Sequence, residues 1–190
     1  MDYPADQFQQ LLTVNTNGAL FTAQAVGRQM VRFGNKGSII LVASLGGSNA
    51  VQVSGISHRT LKLLILYKDG LSWVAYSSSK AAVIQMARSL ACELGPRGIR
   101  VNSLSPGYII SRQVRVCRLI ASTYILFYRM TSTYLDAHPG LLQQWSALNP
   151  LGRIGRPDEL RGVVTWLASD ASSFCTGSEC VIFRMNPCLN

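Results

Sequence analysis

The strongest pattern of apolar and polar positions with helical spacing covers residues 74–94. Its apolar residues recur at steps of three and four, the period of a helix with one buried face; they include Val83, Met86, Ala87, Leu90 and Leu94. Residues 6–33 show a second long pattern of this kind. Asn15, Asn17 and Gly18 interrupt its apolar stripe, which predicts a weak point or bend in that helix.

Three short runs of apolar residues predict strands. Residues 38–43 and 99–104 are aliphatic and β-branched, as in strands buried on both faces, and residues 178–183 are a plausible last strand. Residues 130–148 look like a short helical region, and another helix begins at residues 156–159 with a proline followed by two acids. This alternation of helices and strands predicts an α/β fold in which crossover helices join parallel strands.

Glycine and proline predict where the elements end. Residues 34–37 form a stop and a turn. Gly95-Pro96 ends the helix of residues 74–94, with Gly95 as its C-cap. Pro106 and Gly107 predict a sharp turn at the carboxyl end of the second strand.

Composition indicates one globular domain of 190 residues, since 48% are hydrophobic and 14% are charged. The net charge of +9 would suit nucleic acid, but the basic residues are scattered and no run is interleaved with aromatics. Solvated surface charge is therefore the preferred interpretation of the net charge. A nucleic-acid binder is kept only as a third hypothesis, after the two described below.

Targeting and metal signals also constrain the function. The chain shows no secretory signal, and its longest apolar run, residues 119–128, is too short to span a bilayer. Five cysteines without a C-x-x-C motif, together with His58 and His138, give no zinc constellation. We expect reduced thiols, a cytoplasmic location, and neither a metal nor a membrane partner.

Tyr76 and Lys80 are the first candidates for chemistry, because residues four apart share one face of a helix. A nearby cation favours the ionised form of an acid, which suits a tyrosine that transfers protons. The alternative is an ordinary aromatic residue beside a solvated lysine. Ser44 follows the first strand at its carboxyl end, where α/β sheets bind ligands, although alone it would be one loop serine among many. Asn15 is either a helix irregularity or a polar group that points into a site.

Together these residues resemble the classical short-chain dehydrogenases/reductases. The matching elements follow in order: V-N-x-x-G (Val14, Asn15, Gly18), a strand ending in Ala43-Ser44, Y-x-x-x-K (Tyr76, Lys80), I-R-V-N-S-L-S-P-G (residues 99–107), R-I-G-R-P-D-E-L (residues 153–160) and W-L-A-S-D-A-S-S-F-C-T-G-S (residues 166–178). Fungal members that act on sugars and polyols are the most similar.

The resemblance implies an NAD(P)-dependent oxidoreductase that acts on a carbonyl/alcohol pair, with NADP(H) slightly favoured. It implies that Tyr76 is the general acid/base and that Lys80 lowers the pKa of Tyr76 and binds the nicotinamide ribose. It also implies that Ser44 holds the substrate oxygen and that Asn15 holds a water in a proton relay. The cofactor-binding residues that it implies are Tyr76, Lys80, Pro106, Gly107, Ile109 and Ser111.

The chain departs from the family pattern in three respects. It shows no glycine-rich turn between a first strand and a helix, so the fold expected is the carboxy-terminal portion of a Rossmann-like doubly wound parallel sheet, without its first βαβ units. Residues 53–70 and 113–129 are predicted to be insertions in this single incomplete domain, and we interpret them as retained intron sequence. The last strand runs into Phe183, where the family has an acidic residue followed by glycines.

These departures leave a second hypothesis open. The chain could be a catalytically inactive remnant that acts at most as a dimerisation module. The resemblance places the homo-oligomer interface on the helices of residues 6–33 and 74–94.

Overall fold

The computed structural model describes residues 3–49, 73–110, 135 and 139–183. The predicted insertions, residues 53–70 and 113–129, lie outside this part of the chain, as does Ser111. Residues 130–134 and 136–138 of the predicted helical region lie outside it as well.

The described residues form helices and strands in alternation. The helices are α1 (Ala5–Leu12), α2 (Gly18–Arg32), α3 (Leu45–Ser48), α4 (Val74–Leu94), α5 (Pro139–Ala147) and α6 (Arg161–Ala168). The strands are β1 (Gly37–Val42), β2 (Ile99–Ser105) and β3 (Glu179–Val181). A π-helical turn, Thr13–Asn17, joins α1 to α2, and short 3-10 segments cover Gly95–Arg97, Pro157–Leu160 and Asp170–Ser172.

The three strands form a parallel sheet in the order β1-β2-β3, which confirms the predicted alternation. Gly37 lies opposite Ile99 at the start of the first pair, and Val42 lies opposite Leu104 at its end. Strand β3 pairs only with the end of β2, where Ser105 lies opposite Val181. Because parallel strands end at one edge, Ser44 and the residues after Ser105 come to the same side of the sheet.

Helix α4 supplies most of the core contacts on one face of this sheet. Its buried face packs on β1, β2 and α2, in a cluster of Ala23, Ile39, Leu41, Ala43, Val83, Ile84, Ala87, Leu90, Ala91, Ile99 and Val101. Gly27 of α2 faces the last turn of α4, since a Cβ built there would be in ordinary van der Waals contact with Leu94 Cδ1, at 3.4 Å. The helical period predicted for residues 74–94 is thus confirmed.

Strand β3 is attached to β2 through a buried amide as well as through the sheet. Asn102 Nδ2 donates to the carbonyl of Cys175 at 2.8 Å, and Asn102 Oδ1 accepts from the amide of Ser178 at 3.0 Å. Since Asn102 is fully buried, these bonds fix the segment that leads into β3.

The predicted end of the long helix is confirmed, since α4 ends at Leu94 with Gly95 as its C-cap. A 3-10 turn follows, and the left-handed glycine after it is Gly98, at φ 72°. One local prediction needs correction: the last strand is shorter than residues 178–183, because it spans Glu179–Val181 only. The weak point predicted near Asn15 is a π-helical turn, Thr13–Asn17.

Candidate active site

Tyr76 and Lys80 lie on one face of the first turns of α4, as their spacing predicted. The Lys80 ammonium lies 5.8 Å from the centroid of the Tyr76 ring. Trp73, the residue before α4, packs edge-on against the same ring, with centroids 5.9 Å apart. The ring of Tyr76 therefore has an indole and a cation as neighbours.

The Lys80 side chain crosses from α4 to the sheet edge. Its Nζ donates to the carbonyl oxygen of Val42, the last residue of β1, at 3.0 Å. Burial lowers the pKa of Lys80 from its ordinary value, because the charged form loses hydration. A partly dehydrated cation at this edge is suited to a negative or strongly polar neighbour.

Ser44 begins α3 directly after β1. Its backbone is extended, and its Oγ accepts from the amide of Gly46 at 3.3 Å, as an N-cap does. The amide of Leu45 donates to the carbonyl of Pro106 at 3.0 Å. This bond joins the turn that carries Ser44 to the turn that follows β2.

Gly47 sets the distance between α3 and the helix that carries Tyr76 and Lys80. A Cβ built on Gly47 would lie 2.7 Å from the carbonyl carbon of Lys80 and 2.8 Å from the amide nitrogen of Ala81. Only glycine allows this approach of two backbones. The sequence showed a glycine pair but no sign that one of them faces Lys80.

Asn15 lies in the π-helical turn, and its side chain reaches α4. Asn15 Nδ2 donates to Ser79 Oγ at 3.0 Å, and the Ser79 hydroxyl donates to the carbonyl of Tyr76 at 2.7 Å. Ser79 is fully buried. It is a functional candidate that sequence reasoning missed; the only signal was a hydroxyl directly before Lys80.

The remaining predicted cofactor residues follow β2. Pro106 is fixed by its bond to Leu45, and Ile109 forms an isolated parallel bridge with Gly155. Gly107 lies under the ring of Phe183, which a Cβ at that position would overlap. Ser111 lies outside the described residues, so its predicted role stays a prediction.

The Lys80 ammonium and the turns that follow β1 and β2 lie at one sheet edge, with the Tyr76 ring beside the ammonium, and these groups suit proton transfer to or from a small oxygen-containing molecule. Lys80 and the turn at Pro106 are the described residues that would hold the nicotinamide end of a dinucleotide, whereas the ring of Phe183 covers Gly107 at the same turn. Gly46 and Gly47 do not serve as a phosphate-binding turn, because both lie within α3 and Gly47 packs on α4.

None of the helices among the described residues has the length and apolar character that a membrane span requires. The described residues do not bring three His, Cys, Asp or Glu side chains together in a way that could hold a metal ion.

Comparison with known proteins gives the family. The family model described as enoyl-(acyl carrier protein) reductase matches residues 69–121 and 111–182, more than half of the chain. Sorbose reductase of Schizosaccharomyces pombe is 36% identical over 95% of this chain and 56% of its own length. NADH-dependent L-xylulose reductase of Ambrosiozyma monospora is 30% identical over 95% of this chain and 55% of its own length.

A solved structure gives the fold. The short-chain dehydrogenase from Leptospira borgpetersenii with bound NAD⁺ superposes with a TM-score of 0.69 at 26% identity, over 96% of this chain and 57% of that one. The predicted Rossmann-like fold is confirmed, and the chain spans about half the length of the curated relatives that it matches. The chain belongs to the classical short-chain dehydrogenase/reductase family.

Proposed function

We propose that this protein is an NAD(P)-dependent oxidoreductase that interconverts a carbonyl and an alcohol, with a sugar or polyol as substrate. The observation that carries the proposal is the position of the Lys80 ammonium, which lies 5.8 Å from the centroid of the Tyr76 ring and is bonded to the carbonyl of Val42, two residues before Ser44. The substrate class rests on relatives such as sorbose reductase and L-xylulose reductase.

Each residue has one role in this proposal. Ser44 Oγ holds the substrate oxygen, and Tyr76 gives a proton to that oxygen when a carbonyl is reduced. In the reverse direction the ionised phenol takes the proton of the alcohol. Lys80 stabilises the ionised phenol through its charge and orients the nicotinamide ribose. The bound cofactor supplies the hydride donor or acceptor, and the protein supplies orientation and electrostatics.

Asn15 acts through the helices rather than on the substrate. Its amide is engaged with Ser79, so the side chain fixes the π-helical turn against α4. A π-helical turn leaves backbone carbonyls without their usual i+4 partner. We assign the water of the predicted proton relay to such a carbonyl at this turn.

The cofactor in this proposal is either NAD(H) or NADP(H). One relative is NADH-dependent and one similar structure holds NAD⁺. The slight preference for NADP(H) stays a prediction. Tyr76, Lys80, Pro106, Gly107 and Ile109 hold the nicotinamide end in this proposal.

The test is turnover by the purified 190-residue chain. Ketoses, aldoses and an enoyl thioester are each offered with NADH or NADPH, and the products are separated by chromatography. A polyol formed from a ketose supports the proposal. Reduction of the enoyl thioester alone, or no oxidation of either cofactor with any substrate, contradicts it.

A homo-oligomer is the partner proposed for the outer face of the helical segment from α1 to α2. Val14 of the π-helical turn and Phe21 of α2 are 67% and 62% exposed there, although both are apolar. In sedimentation experiments, Phe21→Glu is expected to shift a dimer towards monomer. Phe174→Glu, which changes a fully exposed phenylalanine after α6, serves as the control. Equal masses of wild type and the Phe21 variant would contradict this interface.

A further inference from the structure

We propose that Glu179 is a positioning residue for Ser44, an inference that rests on the proposed function. Glu179 begins β3, and its side chain is only 14% exposed. Its Oε1 accepts from Ser105 Oγ at 2.7 Å and also from Ser48 Oγ. Ser48 is the last residue of α3, and Ser44 is the N-cap of the same helix.

The carboxylate of Glu179 therefore links two elements that end at the site. Ser105 is the last residue of β2, and Ser48 is the last residue of α3. Arg88 of α4 adds an ion pair, with Nη2 3.7 Å from Glu179 Oε2, but its side chain is 51% exposed. An ion pair of that length and exposure contributes little, so the two hydroxyl bonds carry the interaction.

Helix α3 needs such an anchor, because a helix of four residues has no stability of its own. Its first residue is held by the bond from Leu45 to Pro106, and its middle is packed at Gly47 against Lys80. The bond from Ser48 to Glu179 holds its last residue. Without that bond the end of α3 is free to move, and the Ser44 hydroxyl moves with it.

The same carboxylate is not needed to attach β3 to the sheet. The backbone pairing of β3 with β2 and the bonds of Asn102 to Cys175 and Ser178 hold that strand independently. A change at Glu179 is therefore expected to act on α3 and to leave the sheet in place.

Amide hydrogen exchange tests the anchor without any need for turnover. In Glu179→Ala and in the milder Ser48→Ala, the amides of Gly46, Gly47 and Asn49 should exchange about tenfold faster, as expected for the loss of one charge-assisted hydrogen bond. Glu179→Gln should restore most of the protection, because its amide oxygen still accepts from both hydroxyls. Glu93→Ala, which changes an exposed acid on α4, is the control.

Kinetics test whether the anchor acts through Ser44. Glu179→Ala should lower kcat for ketose reduction with KM nearly unchanged, and Glu179→Gln should recover it. Adding Glu179→Ala to Ser44→Ala should cause no further loss, since both act on one hydroxyl.

The outcomes separate this inference from the proposed function. Unchanged exchange at α3 in both Glu179→Ala and Ser48→Ala overturns the inference, and so does equally faster exchange throughout β2 and β3. Additive losses in the double variant overturn it as well. If the wild-type chain reduces no substrate, the proposed function fails; the exchange experiment then decides the anchor alone.

Discussion

At the scale of single residues, Lys80 shows how burial prepares a group for chemistry. Its ammonium is partly buried, where it donates to the carbonyl of Val42 and lies beside the Tyr76 ring. The loss of hydration lowers the pKa of Lys80 below its ordinary value of 10.5. The folded protein therefore binds the Lys80 proton less tightly than the unfolded chain does.

Lys80→Met is expected to remove a pH dependence of stability. Between the lowered pKa of Lys80 and 10.5, the unfolded wild type binds more protons, so its free energy of unfolding rises with pH. The variant lacks this rise, and its stability relative to wild type should fall as pH increases through that window. Urea denaturation from pH 7 upwards measures the free energy of unfolding of both proteins. A difference in this free energy that stays constant with pH would refute the expectation.

Ser79→Ala is expected to cost about 1–3 kcal/mol of unfolding free energy, because the amide of Asn15 loses its acceptor at a buried site. Ser78→Ala, which changes the exposed neighbouring hydroxyl, is the control. Urea denaturation gives both values. Asn15→Ala combined with Ser79→Ala should cost less than the sum of the single changes, and strict additivity would show that the two side chains do not interact.

At the scale of elements, the contact of α3 with α4 decides where Ser44 lies. Gly47→Ala places a methyl group against the backbone of Lys80 and should cost about 1–3 kcal/mol by forcing the helices apart. Gly162→Ala in α6 is the matched control: no heavy atom lies within 4 Å of its Cβ position. This control should stabilise the protein by up to about 1 kcal/mol through helix propensity. Thermal unfolding measures the stability of both variants relative to wild type. Equal changes in stability for Gly47→Ala and Gly162→Ala would contradict the packing argument.

The elements also show what sequence can predict. The helical period of apolar residues predicted α4, and short continuous apolar runs predicted β1 and β2, since burial imposes both patterns directly on the chain. The spacing of Tyr76 and Lys80 placed them on one face for the same reason. Contacts between residues distant in sequence left no such signal: Asn15 meets Ser79, and Glu179 meets Ser48, only because the fold brings them together. Gly95 was correctly predicted as the C-cap of α4, but the left-handed Gly98 after it was not, because the 3-10 turn at Gly95–Arg97 carries no distinctive pattern.

At the scale of the whole molecule, a parallel sheet collects the candidate side chains at one edge. Ser44 follows β1, the turn at Pro106 follows β2, and Lys80 reaches the same edge from α4 with the Tyr76 ring beside it. Each contribution comes from a separate element, so the site exists only when the elements pack together. The proposed reductase activity is therefore expected to be lost together with the folded sheet in urea.

The rate of ketose reduction by wild type and by Tyr76→Phe, followed as loss of NAD(P)H absorbance, tests the central claim most directly. Positioned proton transfer contributes about 10²–10⁴-fold, so the Phe variant should lose activity by that factor while keeping its fold. Tyr3→Phe, which changes a tyrosine packed on Phe8, should keep the wild-type rate. Equal rates for wild type and Tyr76→Phe would contradict the assignment of Tyr76 as the acid.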